Sequence, residues 1–169
     1  MGSSKMRVLI TISALLGILA LSSFAGIMVG VTGFNGNLNM LSAGYELNSQ
    51  TFAFANFIFP LGLGIGVGSS IGNIFPTINF GNTSTGSPIG NMNIGWGVVV
   101  QGDFEMVSGI TGLLIYGGPA FIIKTDLPII YSKFTFFTSV GLAYASAAYQ
   151  GITGAAIAYG ISSGIYYVF

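Results

Sequence analysis

The sequence predicts an all-β protein of about eight or nine antiparallel strands, and three observations carry that expectation. First, long stretches alternate with period two. Thr153, Ala155, Ile157, Tyr159, Ile161, Ser163, Ile165, Tyr167 and Phe169 are mostly bulky, whereas Gly154, Ala156, Ala158, Gly160, Ser162 and Gly164 are all small. Successive strand residues point to opposite faces, so this pattern makes one greasy and one smooth face. Second, Asn35-Gly36 and Gln150-Gly151 interrupt such runs as hairpin turn signals do. Third, Gly62, Gly64, Gly66 and Gly68 recur at every second position, which in a helix would cost about 1 kcal/mol each relative to Ala.

Composition narrows the setting. The 169 residues include 27 Gly, 14 Phe and 8 Tyr but only 4 basic and 4 acidic side chains. That 5% charged fraction lies far below the roughly 25% of ordinary soluble proteins. A chain so poor in charge self-associates in water, so it belongs in a membrane, in an assembly or outside the cell. Nucleic acid is excluded as a partner, since no basic patch exists to neutralise phosphates. There is no cysteine to form a disulfide. The high hydrophobicity excludes disorder.

The first residues read as an export leader. Lys5 and Arg7 precede an uncharged apolar run from Val8 to about Leu21, and Ser23 and Ala25 are small. This matches a signal peptide over residues 1–25 cut between Ala25 and Gly26. The competing reading is a retained anchor, because the uncharged run continues through Ile27, Val29 and Val31 and about 20 apolar residues span a bilayer. Either way the remainder, 26–169, is exported.

That remainder reads as one β domain. Gly26 to Phe34 is a short apolar strand with Ile27, Val29 and Val31 on one face, closed by the turn at Asn35-Gly36-Asn37. A second strand from about Leu38 to Leu47 ends at Asn48-Ser49-Gln50, and a striped run follows from Thr51 to Gly68. Pro60 predicts a bend or an edge within it. A short strand holds Ile74, Ile78 and Phe80, and Gly81 to Gly90 is the most polar stretch and reads as an exposed loop. Met92, Ile94, Trp96, Val98, Val100, Phe104 and Met106 then oppose Asn91, Asn93, Gly95, Gly97, Gln101, Asp103 and Glu105, as in a strand with its apolar face inward and its polar face outward. Ile110 to Ile123 is more uniformly apolar, as a centrally buried strand would be. Lys124 to Lys133, with Pro128, reads as a connection, and a terminal hairpin runs over 134–149 and 152–169. Hydropathy alone would propose membrane helices near 52–72, 107–123 and 134–169, but the period-two pattern opposes them.

The chain offers little chemistry. Without His or Cys it lacks the commonest general base, thiol nucleophiles and the usual transition-metal ligands. Asp103 and Glu105 share a strand face and could form a carboxylate pair, but nothing else of a catalytic site accompanies them. Glu46, Asp103, Glu105 and Asp126 have no calcium-loop spacing. The alternating glycines lack the strand-to-helix turn of a phosphate-binding loop. The expectation is a non-enzymatic protein with no metal or cofactor. Asn82-Thr83-Ser84 is a sequon within the polar loop, which makes Asn82 a candidate for N-glycosylation.

Two architectures remain open. In the first, cleavage after Ala25 frees Gly26–Phe34 as a terminal strand that inserts into a neighbouring subunit, building a homopolymeric fibre. With its signal peptide, apolar strand after the cut and charge-poor, Gly/Thr/Asn/aromatic-rich β domain with a sequon, the chain resembles archaeal extracellular thread and bundling-pilus subunits. That resemblance implies a jelly-roll-like β-sandwich over 35–169, a donor strand over 26–34 with Ile27, Val29 and Val31 inserted into the neighbour, an extracellular filament, and membrane contact only during export. In the second, the chain is an eight-stranded outer-membrane β-barrel. The ending Ser162-Ser-Gly164-Ile-Tyr-Tyr167-Val-Phe169 looks like the terminal assembly signal of such proteins, and alternating strands match the architecture. Three features oppose it: Gly154, Ala156, Ala158 and Gly160 are too small to fill a lumen, loops 81–90 and 124–133 fall on the side of short turns, and charges are few for water-facing loops. The filament is the expected function, with the barrel as the alternative.

Overall fold

The computed structural model describes residues 26–35, 37–58, 62–107 and 109–169. The leader and Ala25 therefore lie outside the described residues, as does the bend expected at Pro60. The strands are β1 (Ile27–Phe34), β2 (Asn37–Glu46), β3 (Thr51–Ile58), β4 (Gly62–Asn73), β5 (Ile78–Asn79), β6 (Asn91–Val107), β7 (Ile110–Leu127), β8 (Ser132–Tyr149) and β9 (Ile152–Val168). The segments that hydropathy alone would make helical are strands. No helix among the described residues is long and apolar enough to cross a membrane.

All pairings are antiparallel, in the order β4-β3-β2-β1-β9-β8-β7-β6-β5, and β4 also pairs with β6. That last ladder closes the sheet. The expected sandwich is thus corrected to a closed eight-stranded barrel, with β5 as a short extra strand on β6. The register shows how far the strands are staggered. Following partners around the ring from Met28 leads through Gly44, Phe54, Gly66, Gln101, Tyr116 and Ala143 to Ala158. Since Ser162 faces Phe34, Ala158 lies level with a position beyond the end of β1. The ring therefore closes with a stagger of about ten residues, which tilts the strands ~40° from the barrel axis.

Both ends of the described chain lie at one end of the barrel, called here the lower end. Gly26 N–H donates to the Phe169 carbonyl (3.0 Å), and Phe169 N–H donates to Ile27 (2.8 Å). The lower end also carries the connection 74–90 and a short 3-10 turn at Pro128–Ile130. The loop expected over 124–133 is corrected to that short turn, because β7 and β8 pair down to Leu127 and Ser132. The upper-end turn between β8 and β9 is tight. Gln150 and Gly151 both have positive φ (49° and 84°), the geometry that matches a two-residue turn to strand twist.

Facing is inverted relative to expectation. On β6, Gly97, Val99, Gln101 and Asp103 are buried within the barrel, while Trp96, Val98, Val100, Phe104 and Met106 point outward and are exposed. β7 alternates as well: Tyr116, Ala120 and Ile122 are inside and Leu113, Ile115 and Phe121 outside, which corrects the uniformly buried strand expected there. Small residues do fit a filled lumen. A Cβ at Gly66 or Gly68 would strike the ring of Phe54 or Phe52, one at Gly160 that of Phe34, and one at Gly164 that of Phe137. Each of these glycines leaves room for an inward ring from a neighbouring strand, the interlocking that dense packing requires. Gly154, Ala156 and Ala158 do not enter the closed part at all; they lie on β9 above the last residue of β1 and are exposed.

Candidate functional site

The lumen is the chemically distinct region, and it is layered. At the lower end Lys124 Nζ donates to Glu46 Oε1 (2.8 Å) and to the Ser49 carbonyl (3.0 Å), and lies 5.9 Å above the Phe52 ring. Next comes an aromatic layer of Phe52, Phe54, Phe137 and Tyr166, with ring centroids 5.7–6.3 Å apart. Phe52, Phe137 and Tyr166 have no exposed surface. An eight-stranded barrel is only wide enough to be filled by side chains, so these rings seal it.

Above the rings lies a polar layer. Tyr166 Oη and Ser42 Oγ are 3.0 Å apart, and Ser42 and Thr32 donate to Asn56 Oδ1 (3.0 and 2.8 Å). Asn56 Nδ2 donates to Asp103 Oδ1 (3.1 Å), Gln101 Nε2 donates to Asp103 Oδ2, and Ser162 donates to Gln101 Oε1 (2.9 Å). Tyr116 donates to Ser139 (2.8 Å), which in turn reaches the Pro119 carbonyl (2.7 Å). Among the described residues no buried side-chain nitrogen or oxygen lacks a partner. Because unsatisfied polar groups are costly away from water, a complete network of this kind holds its members in one arrangement. At the upper mouth a cavity of about 300 Å³ opens over Asp103 and Glu105, walled by Phe34, Met40, Ile58 and Leu114.

Charge is partitioned without exception in the described chain. Glu46, Asp103, Glu105, Lys124, Asp126 and Lys133 all occupy inward-facing positions in their strands. Among the described residues the outer surface carries no charged side chain, and it is bounded by aromatics. Trp96 and Phe104 lie eight residues apart on β6, Phe134 and Tyr144 ten apart on β8, and Tyr159 and Tyr167 eight apart on β9. At this tilt those spacings correspond to about 20–25 Å along the axis. Exposed Val98, Val100, Val140, Leu142, Ile161 and Ile165 fill the interval.

The residues singled out in the sequence are dispersed. Ile27, Val29 and Val31 face outward on β1, which pairs with β2 on one side and β9 on the other. That strand completes its own barrel and offers a neighbour no open edge. Gly26 is the first described residue, and the cleavage partner Ala25 is outside the described range. Asn82 is exposed in the lower-end connection, where its backbone bridges to Pro88. Of the four carboxylates, Asp103 and Glu105 come together at the upper mouth, whereas Glu46 and Asp126 sit at the lower end beside Lys124 and Lys133. Among the described residues no group of three potential ligands gathers to hold a metal ion.

Nothing in the sequence marks Thr32, Ser42, Asn56, Ser139 and Ser162 as a unit. Only Ser42 and Ser139 share a strand and its parity with a charged residue, Glu46 and Lys133 respectively. No family model, curated protein or solved structure matches the chain.

Proposed function

We propose that this protein is a membrane-spanning β-barrel of the outer-membrane type: a non-enzymatic, non-conducting scaffold that holds its upper rim in the space beyond the membrane. The observation that carries the reading is the inverted facing. Charged and hydrogen-bonding side chains point into the barrel, and the outside is an uncharged band between two rows of aromatics. In water that arrangement would expose a large apolar surface and favour aggregation. In a bilayer it is the stable one, because the apolar band of such barrels is about 25 Å tall and flanked by aromatic girdles. Closure also removes every sheet edge from the hydrocarbon, where an unpaired N–H or C=O costs several kcal/mol.

The aromatic layer supports a plugged barrel rather than a pore. The feature that fits least is the connection 74–90, which lies at the same end as both ends of the described chain, where short turns are usual. The filament reading rests on the sequence alone, and the double pairing of β1 lends it no support.

Trp96 is the sole tryptophan of the chain and reports directly on this proposal. In vesicles, lipids brominated near the carbonyl level should quench its fluorescence more strongly than lipids brominated near the chain ends. Purification as a water-soluble fibre, or a Trp96 signal indifferent to brominated lipid, defeats the membrane reading. Planar-bilayer recordings should show no stepwise conductance if the lumen is sealed.

A further inference from the structure

We propose that the open edge of upper β9 docks an extended, cation-bearing segment of another protein, which joins the sheet there as an added strand. β9 pairs with β8 along its whole length, but its ladder to β1 ends at Ser162–Phe34. Just beyond, Asn35 N–H donates to the Ile161 carbonyl (2.7 Å), and Ile161 N–H donates to Asn35 Oδ1 (3.0 Å). Ile161 and Phe169 thus turn their backbone groups toward β1. Because bonding direction alternates along an antiparallel strand, Thr153, Ala155, Ile157 and Tyr159 aim their N–H and C=O groups the same way. There they meet no partner among the described residues.

Natural proteins blunt such edges with charge, proline or a bulge. Ile152 to Tyr159 has neither a charged residue nor a proline, and it pairs with β8 without a bulge. Exposures of 75% at Ile152, 73% at Ile157 and 83% at Tyr159 show that nothing among the described residues covers it. Backbone bonds to an added strand would supply affinity without specifying sequence.

Charge supplies the sequence preference. A strand laid along this edge continues the line of β1 above Asn35, so every second side chain would face the lumen above Phe34. Phe34 is also a wall of the mouth cavity, and Asp103 and Glu105 stand on β6 across it. In the described chain the lysines are taken at the lower end, Lys124 by Glu46 and Lys133 beside Asp126. Asp103 and Glu105 are left without a cation among the described residues. An occupant with an inward-facing arginine or lysine, its aliphatic stem against Phe34, Met40 and Ile58, answers that imbalance.

A second copy fits less well. Its β9 edge brings no cation, and antiparallel pairing of two identical strands turns one barrel upside down relative to the other. That geometry is barred within a single membrane.

The test uses the full protein in lipid nanodiscs and two synthetic peptides of alternating threonine and valine, one with a central arginine and one with glutamate there. Fluorescence anisotropy should give the arginine peptide at least about tenfold tighter binding, and Glu105→Gln should remove most of that preference. Ala155→Pro deletes an edge N–H that β8 does not use and should weaken both peptides by about tenfold or more. Hydrogen exchange on the unaltered protein should slow at Thr153, Ala155, Ile157 and Tyr159 when the arginine peptide is added, which decides the matter even if Ala155→Pro misfolds. Equal binding of the two peptides overturns the charge preference. Amides unaffected by peptide overturn the docking site, as do edge amides already protected by self-association without it.

Discussion

The two halves of β9 share one sequence pattern and behave differently. In Ser162–Val168 even positions are buried and Ile165 is exposed, because β1 and β8 flank the strand and the lumen packs beneath it. In Ile152–Tyr159 every residue is exposed on both faces, with β8 as the sole neighbour. Alternation sets which residues share a face. Whether the face meets the packed lumen or lies open depends on how far the adjacent strands reach. The same contrast separates the glycines. A Cβ at Gly164 would press on Phe137 and Thr32, whereas one at Gly154 meets nothing within 4 Å.

The largest expected break of this contrast is on the outer face. Ile165→Arg places a charge in the apolar band and should cost about 4 kcal/mol or block insertion. Ile152→Arg, on the open half, should leave the urea midpoint in lipid within about 0.5 kcal/mol of the parent. Equal effects at both positions would erase the distinction between the halves.

Next comes the inner face, where Gly164→Val should destabilise by about 3 kcal/mol through overpacking against a fully buried ring. Gly154→Val should be neutral or slightly stabilising, since β-branched residues favour strands. Asn56→Ala sharpens the account of the lumen. It removes the partner of Thr32, Ser42 and Asp103 together and should cost about 2 kcal/mol, read as a lowered midpoint with the barrel still formed.

The smallest effect is expected at the lower end. Lys124→Met breaks the 2.8 Å pair with Glu46, whose side chains are about one-fifth exposed, and should cost about 1 kcal/mol. Lys133→Met, from a 4.0 Å exposed pair, should change nothing measurable.

Much of the architecture is legible in residues alone. The strand period, the hairpin at Gln150-Gly151 and the strand faces follow from local chemistry, because a strand projects its side chains alternately whatever surrounds it. The polar stretch 81–90 is likewise readable as a connection. Lys124 to Lys133 reads as a connection because Pro128 and three charges resemble a loop, yet cross-strand pairing extends β7 and β8 almost to the proline. The lumen network is not legible in the sequence because Thr32, Ser42, Asn56, Gln101 and Ser162 come from five strands, and ordinary polar side chains carry no spacing that announces a cluster.

By itself the sequence determined that this protein is made of strands with two unlike faces, and that Gln101, Asp103 and Glu105 share one face of their strand with glycines. Only the tertiary structure decided that this face turns inward. Period two is unchanged when the two faces are exchanged, so no local signal can choose between them. Closure of β4 onto β6, with glycines on one strand making room for rings from the next, makes the choice.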